Sequence, residues 1–254
     1  LDQVFEKHRP IAVMHFAAFG YVGESVSQPE LYYSTNVIGS LSLLSAMRRN
    51  DVNKLIFSSS CSTYGMPQAP TIDEQHLQIP VNPYGMTKLT IEACIRDFGN
   101  AYGLKSIVLR YFNAAGADPD GEIGETHDPE THLIPLAIRS AFGDGATLII
   151  RDYVHVTDLA GTHVSALKKL NGDIQSEAYN LGSGNGYSVR RVIDTIEQVS
   201  GHKIPLIIGD RRLGDPPVLL ADTTRAKKSL GWNPQYSDLP TIIKTAIDWD
   251  RSAS

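Results

Sequence analysis

Short apolar runs of four to eight residues alternate with segments of helical period through the first half of the chain. Ile11–Phe16, Lys54–Ser58 and Ser106–Tyr111 have the near-continuous apolar character of strands covered on both faces. Between them, Leu31–Arg49 and Tyr84–Ala101 read as helices. In the second of these, Leu89, Ala93, Ile95 and Phe98 recur at roughly helical spacing while Glu92, Arg96 and Asp97 stay polar. Strand, helix, strand in this order predicts an α/β fold, a doubly wound parallel sheet with helices on both faces. Residues that touch a ligand then belong just past the carboxyl ends of the strands. Leu1–His8 also reads as a helix and leads straight into the first strand run. A fold of this kind seldom opens there, so amino-terminal strand–helix units are expected to be missing from the sequence as it stands.

After Asp118 the rhythm loosens, with Gly and Pro gathered at Asp118–Gly121 and Asp215–Pro217. Helices are predicted at Leu133–Phe142, Thr157–Lys169, Val189–Ser200, Arg225–Leu230 and Leu239–Trp249. The chain therefore divides into a sheet-based region over 1–115 and a smaller, lid-like region over 116–254, some segments of which return to the first. At Leu148–Asp152 two strand-like pieces run together without a turn residue, and a missing loop is expected there. The sequence contains no internal repeat and no low-complexity tract.

Composition narrows the function. The formal net charge of −5 and pI of about 5.9 supply no global basic field, so neither nucleic acid nor anionic membrane is an expected partner. Any anionic ligand must be met by local Arg, Lys or backbone donors. Two cysteines, Cys61 and Cys94, make neither a disulfide framework nor a four-cysteine zinc site. No apolar run approaches a membrane span, no signal peptide opens the sequence, and a cytoplasmic globular protein is the expectation.

The candidate chemistry starts at Tyr84-Gly-Met-Thr-Lys88. Pro83 favours a helix start, and on a helix Tyr84 and Lys88 lie one turn apart on the same face. A phenol with a reference pKa of about 10 is no base at neutral pH, but a neighbouring ammonium favours the phenolate. With 11 tyrosines in the chain, this spacing is weak by itself. Ser58-Ser59-Ser60 adds hydroxyls directly after Leu55-Ile56-Phe57, at a strand's carboxyl end. A serine there can share a substrate hydroxyl while Tyr84 moves its proton; a serine-rich turn closing the strand is the plainer reading. Asn36 sits in the long helix Leu31–Arg49, where an asparagine is usually solvated or a minor packing feature.

Taken in order, His15-Phe-Ala-Ala18, Gly23-Glu24-Ser25, Asn36-Val37, Ser58–Gly65 and Tyr84-x-x-x-Lys88 resemble the extended short-chain dehydrogenases/reductases. Leu109–Asn113, Arg151–Val156, Tyr179–Gly182 and Arg211–Asp215 extend the resemblance, over nearly the whole chain, to the UDP-hexose 4-epimerases of that family. The resemblance implies a Rossmann-type fold, NAD as cofactor, a UDP-hexose substrate and interconversion of UDP-glucose and UDP-galactose. Tyr84, Lys88 and Ser60 would be catalytic. Phe16, Ala17, Ala18, Phe19 and Gly20 would line the NAD, with Asn36, Ser58, Ser60, Tyr84, Lys88 and Phe112 beside it. Gly20 stands where some members carry Lys. Substrate contacts would come from Ser60, Tyr84, Asn113, His132, Leu133, Arg151, Arg212, Asp215 and Leu219, with His132 where some relatives have Asn. Guanidinium forks at Arg151 and Arg212 match phosphate oxygens. Asp215 can accept from a ribose diol. A homodimer packed through the Leu31–Arg49 and Tyr84–Ala101 helices is also implied.

Other features are read structurally. Gly182-Ser-Gly184-Asn-Gly186 lacks the spacing of a dinucleotide loop and reads as a turn. His127 and His132, near Glu125 and Asp128, have no helical His-x-x-x-His spacing, and no metal is expected. Cys61 and His155 read as packed residues. A nucleotide-sugar 4,6-dehydratase on the same scaffold would need an acidic residue just after Ser60, where Cys61-Ser62-Thr63-Tyr64 stands. A decarboxylase, or another UDP-sugar epimerase on N-acetylhexosamines or pentoses, stays open. So does a catalytically silent NAD-binding scaffold, although such relatives typically lose the Tyr or the Lys.

Overall fold

A computed structural model describes residues 1–128, 130–138, 150–172, 174–204 and 218–253. The chain forms two compact units. The first comprises Leu1–Met66, Glu74–Tyr111 and His163–Asn180, and the second Pro67–Asp73, Phe112–Thr162 and Leu181–Ser254.

In the first unit, β1 (Val13–His15), β2 (Lys54–Ser60) and β3 (Lys105–Tyr111) pair in parallel, and β6 (Glu177–Leu181) lies next to β3. The sheet order is β1-β2-β3-β6. The helices on one face are α1 (Asp2–His8), α4 (Gly39–Arg49) and α5 (Pro83–Tyr102), and the short α2 (Val22–Ser27) packs on α5. Phe5, Leu44, Met47, Leu55, Phe57, Ile91, Ile95 and Val108 form the core they bury. Side chains alternate along a strand, so Leu55 and Phe57 face these helices while Ser58 faces the other way. There it meets His163 of α7 (Val156–Leu170). Both faces of the sheet are thus covered, in a Rossmann-type arrangement.

Two local departures from the sequence expectation bear on the site. The strand after Lys54 does not stop at a serine-rich turn at Ser58. Ser58, Ser59 and Ser60 stay in the ladder opposite Leu109, Arg110 and Tyr111. The long first helix begins at Pro29, as α3 (Pro29–Tyr32), and passes through a π-helical turn at Tyr33–Ile38 before continuing as α4. Apolar periodicity does not reveal such a turn, and π turns often mark functional positions.

The second unit has a small mixed sheet. β5 (Ile150–His155) runs parallel to β4 (Asn113–Ala115) and β8 (Val218–Leu219), and antiparallel to β7 (Gly186–Ser188). Helices α6 (Leu133–Ile138), α8 (Val189–Ser200) and α10 (Leu239–Ala253) share a core of Ile134, Ala137, Tyr153, Val192, Ile193, Ile196, Ile242 and Ile243. Helix α9 (Thr224–Leu230) completes the unit. The helix expected over Leu133–Phe142 is described to Ile138, and part of the expected seam at Leu148–Asp152 lies outside the described residues. No helix among the described residues is long and apolar enough to cross a membrane.

Candidate active site

Strand β2 delivers Ser58 and Ser60 to its carboxyl end, and the start of α5 is built against it. Asn82 caps the helix, its Oδ1 accepting the Gly85 N–H at 2.8 Å, with Pro83 in the first turn. Ser60 caps a short 3₁₀ turn over Cys61–Thr63, its Oγ accepting the Ser62 N–H at 3.1 Å. The two pieces touch at Gly85, where a Cβ would lie 2.4 Å from the Ser62 carbonyl oxygen. Only glycine permits this approach, and the approach brings Tyr84 to Ser60.

Burial pushes the Tyr84 phenol well above its ordinary range, and the neighbouring Ser60 side chain only partly opposes that. Lys88 is buried at 4% exposure and donates to the Ser58 carbonyl at 2.8 Å. Its Nζ lies 5.9 Å from the Tyr84 ring centroid and 5.0 Å from that of Phe57. Burial lowers the Lys88 ammonium to about 8, the Glu92 carboxylate resisting the shift. His15 is lowered to about 4 by burial, then by the Lys88 charge, and its Nε2 lies 2.8 Å from Ser40 Oγ. The ammonium expected to depress Tyr84 is therefore spent on a main-chain carbonyl, and desolvation dominates at the phenol.

Asn36 is fully buried in the π turn. Its Oδ1 accepts the Phe19 N–H at 2.8 Å, and its Nδ2 donates to the Phe19 carbonyl at 3.1 Å and to Thr87 Oγ1 at 3.2 Å. The side chain thus clamps the loop after β1 and ties it to α5. That loop presents Phe16 at 55% and Phe19 at 38% exposure, followed by Gly20, whose added Cβ would meet nothing within 4 Å. An exposed apolar platform, a buried ammonium and hydroxyls at one strand end make a donor set that fits a dinucleotide with a flat ring.

The remaining substrate candidates fall in the second unit. Asn113 donates from Nδ2 to the Asp152 carbonyl at 2.8 Å, and the Phe112 N–H donates to the Leu181 carbonyl at 3.0 Å. Arg151 and Leu219 stand opposite each other in the β5–β8 register, with Leu219 buried. His132 and Leu133 enter α6, and the His132 ring pairs with the Glu125 carboxylate. Arg212 and Asp215 lie outside the described residues. The Gly182–Gly186 run is a turn after β6 that closes on a carboxylate of the chain itself. Asp152 accepts from the N–H groups of Ser183, Gly184 and Ala221 and from the Ser183 hydroxyl, and a Cβ on Gly182 would lie 2.5 Å from its Oδ2.

Sequence reasoning did not find several residues around the site. His163 Nε2 lies 3.1 Å from Ser58 Oγ, and its ring centroid is 4.7 Å from that of Phe16. On the opposite face, Ser59 donates to Glu92 at 2.5 Å. Glu92 also receives Arg110 at 2.6 Å, and Arg110 donates in turn to Tyr64 at 2.9 Å. Tyr64 donates to Asn180 Oδ1 at 2.7 Å. Only the polar residues interrupting apolar runs could have signalled this network.

A sequence profile of the NAD dependent epimerase/dehydratase family matches residues 1–182. The chain belongs to that family. A UDP-glucose 4-epimerase from Rhizobium leguminosarum bv. trifolii is 48% identical over 264 residues, covering 98% of this chain and 80% of that protein. The crystal structure of UDP-glucose 4-epimerase from Brucella ovis in complex with NAD is similar at a TM-score of 0.94 and 48% identity, over 97% of this chain and 80% of that one. The UDP-glucose 4-epimerase from Bifidobacterium longum in complex with NAD+ and UDP gives 0.92 and 35%, over 99% of this chain and 79% of that one.

Proposed function

We infer that the chain is an isomerase that interconverts UDP-glucose and UDP-galactose at C4 with NAD as resident cofactor. One arrangement carries this reading: the Tyr84 phenol beside the Ser60 side chain at the end of β2, with Lys88 a helical turn behind them. NAD, when bound, would supply hydride acceptance and donation at C4. Phe16–Gly20 would line it, Asn36 holding their loop, with Ser58, Lys88 and Phe112 beside it. Tyr84 takes the proton from the sugar 4-hydroxyl and later gives it back, and Ser60 shares that oxygen and shortens the proton's path. A phenol raised by burial works as a base only where positive charge gathers against it, and Lys88 is the chain's own source of that charge.

Asn113, His132, Leu133, Arg151, Arg212, Asp215 and Leu219 are assigned to the UDP-sugar, the two arginines to its diphosphate. The same reading makes the chain a cytoplasmic homodimer. Support for the dimer comes from Ile38, 63% exposed on the π turn, and Met86, 39% exposed on α5, both on the helices expected to pair. A coupled assay for UDP-glucose formed from UDP-galactose tests the activity. Turnover without net reduction of NAD is the expected result, and no UDP-glucose from NAD-loaded protein would leave the scaffold reading.

A further inference from the structure

Four side chains converge just before α6, three of them outside the proposed site and the fourth, His132, among the residues assigned above to the UDP-sugar. Glu125, His127, Glu130 and His132 each offer one ligand atom, and these atoms all lie within 4.8 Å of one another. Glu125 Oε1 is 2.8 Å from His127 Nδ1 and also meets His132 Nδ1. Glu130 Oε1 is 3.8 Å and 3.9 Å from the same two nitrogens. Nitrogen and oxygen ligands at about 2.0–2.1 Å from a tetrahedral zinc ion stand about 3.3 Å apart, so the spread is that of a coordination sphere.

A second observation is independent of the clustering. The Glu130 side chain is only 5% exposed, and its Oε2 is buried without a hydrogen-bond partner among the described residues. Its Oε1 meanwhile accepts the N–H groups of Thr131 at 2.7 Å and His132 at 2.8 Å, which fixes the carboxylate in place. A buried carboxylate oxygen left unpartnered is costly, and a bound cation would satisfy it. The scaffold is rigid on the other side too. The Trp249 indole of α10 donates to the Glu125 carbonyl at 3.0 Å, and a Cβ on Gly124 would fall 2.2 Å from that ring.

We propose that Glu125, His127, Glu130 and His132 bind one divalent transition-metal ion of the zinc class. Two imidazoles and two carboxylates suit zinc, cobalt or nickel better than magnesium or calcium. Four protein ligands leave no open position, so the ion is structural; it would take His132 through Nδ1, the nitrogen that faces Glu125, and the assignment of His132 to the UDP-sugar then falls to Nε2. The sequence hid the site because its ligands are two, three and two residues apart in an irregular segment. Asp128, the nearer acid in sequence, is outside the cluster.

The test titrates ZnCl2 into chelator-treated full-length protein by calorimetry, beside Glu130→Gln, His127→Ala and the control Asp128→Asn. One equivalent bound by wild type and Asp128→Asn, with affinity at least about tenfold lower in the other two, is expected. Loss in Asp128→Asn as well would reduce the effect to bulk negative charge and overturn the site. So would absent stoichiometric binding, or binding kept in both ligand variants. A readout on wild type alone guards against variants that misfold: cobalt(II) should give the intense visible absorption of a four-coordinate site. The pale spectrum of six-coordinate cobalt would contradict the ligand set.

Discussion

Lys88 donates to the main-chain carbonyl of Ser58 at 2.8 Å, and the Tyr84 ring centroid stands 5.9 Å from the same ammonium. Lys88 is therefore no bonded partner of Tyr84, and its bond to the carbonyl ties α5 to β2. The phenol, raised by burial, holds its proton until further positive charge arrives.

Replacing Tyr84 by Phe keeps the ring and deletes the proton carrier. Turnover should fall by at least about two orders of magnitude, with substrate affinity little changed. Steady-state rates with UDP-galactose check this, and comparable rates for the two proteins would remove Tyr84 from proton transfer.

Lys88 also leaves a mark on stability. Its folded pKa is about 8, against 10.5 for the free side chain. Below pH 8 both states hold the proton, and above 10.5 neither does. Between those limits the unfolded chain binds more protons, so unfolding free energy rises with pH. The difference in stability between wild type and Lys88→Met should climb by about 3 kcal/mol across that window, since other groups cancel in the comparison. Urea midpoints measured from pH 7.5 to 10.5 give the slope; a flat difference would mean that Lys88 is not desolvated.

Two ion pairs of equal length should differ sharply in worth. Arg110–Glu92 and Lys203–Glu197 both measure 2.6 Å, but the first pair is 8% exposed on each side chain and Lys203 is 90% exposed. Glu92→Gln strands a buried guanidinium and should cost about 3–5 kcal/mol. Lys203→Met should cost less than about 1 kcal/mol. Chemical denaturation of both variants decides it, and equal losses would refute burial as the governing variable.

Leu219, which pairs in register with Arg151, is proposed above to contact the UDP-sugar, and its size would then bear on the sugar end. A leucine there is shorter than a tyrosine and more compliant, so measurable activity on the C2 N-acetylated sugars is expected beside the main pair. Leu219→Tyr should abolish the former and largely spare the latter, because overpacking penalises the larger ligand. The ratio of the two kcat/KM values in wild type and variant is the measurement. An unmoved ratio would take Leu219 out of sugar selection.

The first unit was largely legible in the sequence, for a physical reason. A strand covered on both faces must be a continuous apolar run, and Leu55–Phe57 and Ile107–Leu109 advertise themselves as such. Tyr84, Ser60 and Lys88 were legible as residue types in an order, but their partners were not. Ser59 and Glu92 are 33 positions apart, Ser58 and His163 are 105 apart, and each looks ordinary on its own element. Hydrogen bonds across such separations follow from topology and leave no local periodicity. Asn36 was read as a minor helical residue because nothing in its neighbourhood announces the π turn that buries it. Glu130 was passed over for Asp128 because sequence proximity was the only guide in a segment without a repeat.

The π turn around Asn36 sets a phase. Each residue of an α-helix advances the chain by about 100° around the axis, and a single widened turn inserts one such step. Removing one residue other than Asn36 from Tyr33–Ile38 would restore a regular helix and rotate everything before it by that amount relative to α4. Asn36 would then aim at either Phe19 or Thr87, but no longer at both. The length of this segment is thus as much a part of the platform's design as the asparagine itself, and a one-residue deletion there should act like the loss of the side chain.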